Sequence, residues 1–283
     1  SIRQVTETEK ISFQWLDYIF LAAGFACFIF ATSTASGAGW ISVQVLGLLA
    51  ASIICIAIFC LKCKKSETPL IDIRVFCCVP FSLSVLVLVF IQFICLGLGF
   101  LIPNYAQLVL GEEAFLAGCL LLPGCIIGAV LSPVSGRILD RFGAKKPILS
   151  GNFCIILATV CFSIFALRLN MGSFILFYIF FAFGQGFSVG NTMTNGLKQL
   201  PPELNPDGNA VINTLQQLAG AIGTSIITTI VAASQAKLPD DLAAATAQGT
   251  QYSFYLLAVL AAAVICCSLG VFALTGKKKK LSH

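Results

Sequence analysis

The sequence predicts an all-α integral membrane protein with eight transmembrane helices and both termini cytoplasmic. Three observations carry that expectation. Hydrophobic residues make up 58% of the 283 and charged residues only 10%, with a mean hydropathy of +0.96, whereas soluble domains run at roughly 45–50% apolar and about 25% charged. Apolar stretches recur at the length of about 20 residues that a helix needs to cross a hydrocarbon core about 30 Å thick. Lys and Arg collect between alternate stretches, as cytoplasmic loops do. The same composition excludes disorder, which needs few apolar residues and a high net charge. Thirteen cysteines would suit a disulfide scaffold, but most lie within apolar runs, where a thiol behaves as a small hydrophobe.

In chain order, the runs ended by charge, Gly or Pro are Tyr18 to Ser36, Trp40 to Leu61, Phe81 to Ile102, Phe115 to Val134, Pro147 to Leu167, Phe174 to Met193, Ala210 to Ala233 and Phe254 to Thr275. Stretches such as Leu83 to Phe90 lack the apolar/polar alternation of a transmembrane β-strand, so helices are the spanning element. Numbering the connections alternately places Arg3, Lys10, Lys62, Lys64, Lys65, Arg74, Arg137, Arg141, Lys145, Lys146, Lys198 and Lys277 to Lys280 on one side, 15 of the 17 bases. Only Arg168 and Lys237 fall on the other. Adding or removing one span would destroy that split, so charge supports the count independently of hydropathy. The first run is span-length and follows mixed charge, unlike a cleavable signal. The chain begins at Ser1 and its only methionines are Met171 and Met193, which fits either a processed start or a longer parent chain.

Several chemistries lack their residues. The one histidine is His283, at the C-terminus, so nucleophilic triads have no base. Clustered zinc ligands and a phosphate-binding P-loop are absent from the sequence. The bases border membrane spans and leave no nucleic-acid footprint. Neither an enzyme, a cofactor nor a metal is expected. All twelve acids fall in connections or at span ends, although intramembrane acids are what mark ion pathways. Asp17, at the mouth of the first span, reads as an interfacial helix-start residue, since acids favour helix N-termini.

The most specific stretch joins the fourth and fifth runs: Gly136-Arg137-Ile138-Leu139-Asp140-Arg141-Phe142-Gly143-Ala144-Lys145-Lys146. Gly136 allows close helix approach, Asp140 can accept charge-assisted hydrogen bonds, Gly143 permits a tight turn, and Lys145 and Lys146 hold the connection at the membrane surface. This order resembles the cytoplasmic signature loop of the major facilitator superfamily, which would make the fold one of major facilitator type. The resemblance implies a latch between two transporter halves built from Gly136, Asp140, Arg141, Gly143, Lys145 and Lys146. Ala144 stands where the family carries a base, so that contact is expected to be weaker or shifted to Lys145.

A second resemblance is to the fourteen-span drug:proton antiporters. It rests on Trp15-Leu16-Asp17-Tyr18, Gly24, Gly39-Trp40, Pro69-Leu70-Ile71-Asp72, Leu121-Leu122-Pro123-Gly124, Gly184-Gln185-Gly186, Gly190-Asn191, Leu200-Pro201-Pro202-Glu203-Leu204 and Asn213 to Thr224. It implies a cytoplasmic segment at 1–16, an inserted helix pair at 17–65, a six-helix C-terminal half at 66–276 and a basic tail at 277–283. It also implies a missing N-terminal six-helix half, a small lipophilic or cationic substrate, protons as coupling ion, and the bacterial plasma membrane as location. A transporter-like scaffold or sensor, or a carrier of another solute class, is the alternative. On the seventh run Asn209, Asn213, Gln216, Gly220 and Gly223 share one helical face by spacing, and a polar stripe cannot face lipid cheaply. Gln92, Gln185, Asn191, Asn213 and Gln216 are candidates for cavity lining, with an interhelical hydrogen bond as the competing role. Gly184, Gly186, Gly190, Gly220 and Gly223 are candidates for helix packing.

Overall fold

The structure, a computed structural model, describes residues 15–65 and 72–281, without the side chains of residues 16, 17, 36, 38, 63–65 and 277–281. Expectations that rest on residues 1–14, on 66–71 and on the side chain of Asp17 lie outside what is described, as does the chemistry of the basic tail. The helices are α1 (Trp15–Ala38), α2 (Val43–Lys65), α3 (Val79–Leu108), α4 (Ala114–Cys119), α5 (Leu122–Phe142), α6 (Lys145–Phe165), α7 (Met171–Leu197), α8 (Asn205–Lys237) and α9 (Leu242–Leu281). Eight helical segments among the described residues are long and apolar enough to cross a membrane, the fourth being α4 and α5 together. Ile41 and Val43 are each 88% exposed and Phe115 is 81% exposed, as expected of a surface that meets lipid or another apolar partner rather than water.

Helices outrun the apolar runs at several ends. The seventh begins at Asn205, where polar residues continue the helix past the apolar run, and the eighth at Leu242, where its first turns pack on α8, with Gly249 against Val231 and Ser234 and Thr246 accepting from Gln235. The fourth run is not continuous. Its helix breaks at Leu120 and Leu121 and restarts with Pro123 in the first turn, where the missing N–H costs nothing.

The helices form two rows. In front, α5 packs on α7, α7 on α3 and α3 on α8; behind them α6 backs α7, and α9 backs α3, α8 and α6. Helices in lipid associate through close packing and polar bonds rather than through a hydrophobic drive, and the contacts follow that rule. A Cβ at Gly184 would stand 2.5 Å from the Gly151 carbonyl oxygen, and one at Gly223 would stand 2.9 Å from that of Phe93. Those glycines bring α7 onto α6 and α8 onto α3 at backbone distance. A buried polar node ties the rows together: Ser188 donates to Asn152 Oδ1 at 2.5 Å, and Asn152 Nδ2 donates to Ser268 Oγ at 2.7 Å. Toward the opposite end Phe162 stacks on Phe254 with centroids 5.0 Å apart and meets Phe177 edge-on at 5.4 Å.

The pair α1 and α2 stands beside this unit. It pairs with itself, with Ser52 donating to the Gly24 carbonyl at 2.8 Å, and α1 leans on α8. Ser225 donates there to the Thr32 carbonyl, and Trp40 Nε1 donates to Thr229 Oγ1 at 3.3 Å.

Candidate functional site: a groove between α5 and α7

Small residues make the groove. Gly124, Gly128 and Ala129 on α5 face Ala182, Gly186 and Gly190 on α7, leaving an open hollow of about 410 Å³ that Tyr178, Gln185, Ser132 and Cys125 also line. The helices touch at its floor, where a Cβ at Gly186 would lie 3.2 Å from the Gly128 carbonyl oxygen. The volume lies within the roughly 300–1,000 Å³ of small-molecule sites. Its polar groups are few and uncharged. Gln185 Nε2 donates to Cys95 Sγ at 3.3 Å, and the Tyr178 hydroxyl lies 3.8 Å from Cys125 Sγ. The amide oxygen of Gln185 has no partner among the described residues, so it can accept a bond from something in the groove.

The other candidate residues separate by location. Asn191 is turned away from the groove, buried and donating to Ser135 Oγ at 2.6 Å and to the Phe187 carbonyl at 2.8 Å, which links α7 to α5. Gln92 and Gln216 are half-buried on α3 and α8. Asn213 is exposed and donates within its own helix to the Asn209 carbonyl at 2.8 Å. The stripe on α8 therefore divides. Gly220 faces Leu96, and Gly223 faces the backbone of Phe93, while Asn209 and Asn213 nearer the N-terminus of α8 are exposed. Gly190 packs against nothing, since an added Cβ there meets no atom within 4 Å.

Most of the stretch from Gly136 to Lys146 is helix rather than loop. Only Gly143 and Ala144 separate α5 from α6. Gly143 has φ 77°, a conformation that favours glycine, and its N–H bonds the Leu139 carbonyl at 2.9 Å. Gly136 has no neighbour within 4 Å of an added Cβ. Asp140 is exposed in the last turn of α5 and makes no ion pair or hydrogen bond among the described residues. Arg141 and Lys146 both lean over the ring of Phe142, at 5.4 and 5.3 Å from its centroid.

The same end of the bundle carries a short ion pair that sequence reasoning did not single out. Asp72 caps the turn before α3 through the Arg74 N–H at 2.9 Å and binds the Arg74 guanidinium at 2.5 Å. The hydrogen bonds from Arg74 hold the Asp72 carboxyl below its ordinary range. Cys78 then bonds the Gln199 carbonyl at 3.5 Å, which ties the start of α3 to the α7–α8 connection.

Residues 11–224 match the sequence profile of the Major Facilitator Superfamily. Among similar proteins, a lincomycin resistance protein of Listeria monocytogenes is 34% identical over 281 residues, which cover 95% of this chain and 59% of that protein. A lincomycin resistance protein of Bacillus subtilis is 31% identical over 293 residues, covering 100% of this chain and 60% of the relative. The tetracenomycin C resistance and export protein of Streptomyces glaucescens is 26% identical over 221 residues, covering 78% and 41%. The chain thus spans about three-fifths of the length of the curated relatives it matches most fully.

Proposed function

The chain belongs to the Major Facilitator Superfamily, and we propose that it forms one wall of a proton-driven exporter of lipophilic or cationic small molecules in the bacterial plasma membrane. The observation that carries this reading is the α5–α7 groove: sized for a small molecule, open on the front row, and built from glycines with a few uncharged polar groups. Such a surface accepts varied apolar shapes and asks of each one hydrogen bond, which suits the drug resistance named for the relatives. Residues 17–65 are the inserted helix pair and 66–276 the C-terminal six-helix half. The opposite wall comes from six further spans of a longer polypeptide, and the basic end of the bundle, where Asp140 lies, faces the cytoplasm.

Rocking of one half against the other around a site near the membrane midplane is how such folds alternate access. Gln185, halfway along α7, contacts substrate at that depth. All twelve acids of the sequence fall in connections or at span ends, which favours a proton-binding carboxylate on the opposite wall. The test is Gln185→Ala in the polypeptide that carries both walls. A neutral hydrogen bond contributes about 0.5–1.5 kcal/mol, so half-saturation for export should rise roughly two- to tenfold with the protein level unchanged. Unchanged half-saturation for several chemically different substrates would remove the groove from the pathway.

A further inference from the structure

We infer that the cleft between the end of α5 and the start of α6 holds an anionic phospholipid, with an acyl chain in the cleft and the phosphate at Lys146 and Arg141. The inference rests on the membrane-spanning fold and is independent of transport. The cleft measures about 270 Å³ and is lined by Ile138 and Phe142 of α5, Lys146, Pro147 and Ser150 of α6, and Phe187 of α7. Its walls are apolar apart from Lys146 and the Ser150 hydroxyl, and that hydroxyl is already bonded to the Pro147 carbonyl at 3.1 Å. One end offers charge and the rest offers hydrocarbon, which is the division within a lipid molecule and not within a free anion.

Charge at the mouth is concentrated and uncompensated. Residues 137–146 carry Arg137, Arg141, Lys145 and Lys146 against the single acid Asp140. All five are exposed, and none makes an ion pair among the described residues. Arg141 and Lys146 converge on the one ring of Phe142. Two lysines also open α6, with no acid in its first turn, at the end where a helix is itself positive. Like charges gathered in this way call for an anion, and the anion a membrane surface supplies is the headgroup of an acidic lipid.

The test uses the delipidated 283-residue chain in detergent, titrated with phosphatidylglycerol or phosphatidylcholine of identical acyl chains and followed by native mass spectrometry. Phosphatidylglycerol should be retained in preference to phosphatidylcholine. Lys146→Gln should weaken phosphatidylglycerol alone about fivefold, the effect of one base near an anionic surface. Ser150→Phe, which fills the cleft and leaves every charge in place, should abolish the preference, and Ile138→Trp fills it from the facing helix should the first variant not fold. Soluble glycerol phosphate should not displace the lipid. Equal retention of both lipids, a preference that survives both filling variants, or displacement by glycerol phosphate would each overturn the inference.

Discussion

Replacing Gly184 by leucine is expected to cost the fold at least about 3 kcal/mol, the upper part of the usual range for an overpacked site. The reason is what the new side chain meets. Its Cβ would stand 2.5 Å from the Gly151 carbonyl oxygen and 2.9 Å from the Ile155 amide nitrogen, and backbone cannot swing aside as a side-chain tip can. The α6–α7 contact would open, and with it the Ser188–Asn152–Ser268 node lying one turn further along α7. Thermal unfolding in detergent, read as loss of the monodisperse peak on size-exclusion chromatography, measures this directly. Gly190→Ala is the paired control, because its Cβ meets nothing within 4 Å and alanine suits a helix better than glycine. Equal stability of the two variants would show that α6 and α7 do not pack as described.

The second large effect concerns Asp140 and has opposite signs for folding and for function. A carboxylate in the last turn of a helix faces the negative end of the macrodipole, an unfavourable placement of about 0.3–1 kcal/mol at an exposed site. Asp140 makes no ion pair or hydrogen bond among the described residues, and the exposed bases around it act on it only through screening water. Asp140→Asn should therefore leave the stability of the chain unchanged or slightly raised. In the polypeptide that carries both walls, the same change should lower export about tenfold or more if Asp140 latches the two halves, since a charge-assisted bond contributes about 1.5–3 kcal/mol. Initial rates of efflux, normalised to protein in the membrane, decide it. Undiminished export with normal abundance would count against a latch.

Gly143 shows how far local signals reach. Its glycine between a basic helix end and a basic helix start marked a turn from composition alone, and the structure gives it φ 77°. The helices themselves were equally legible, because span length and the placement of Lys and Arg are both properties of single stretches of chain. Pairings between stretches were not. Gly151 and Gly184 meet at backbone distance, yet nothing in the spacing of either run names the other as its partner. Asn152, Ser188 and Ser268 are isolated polar residues in three separate apolar runs, and only the bundle brings them together. The break at Leu120 and Leu121 was hidden by unbroken apolarity; Pro123 was the available signal, since proline suits the first turn of a helix. For the same reason Gln185 and Asn191 looked alike as amides on one run, and the position of α5 separates them, placing Gln185 in the groove and Asn191 against Ser135.

Whether these residues build one wall of a two-walled exporter is decided by proton-driven uptake of a fluorescent lipophilic cation into inverted membrane vesicles. The 283-residue chain should insert but give no gradient-dependent uptake, whereas a polypeptide continuing upstream of Ser1 through six further spans should give uptake that collapses when the proton gradient is dissipated. Robust gradient-dependent uptake by the 283-residue chain alone would contradict the two-walled arrangement.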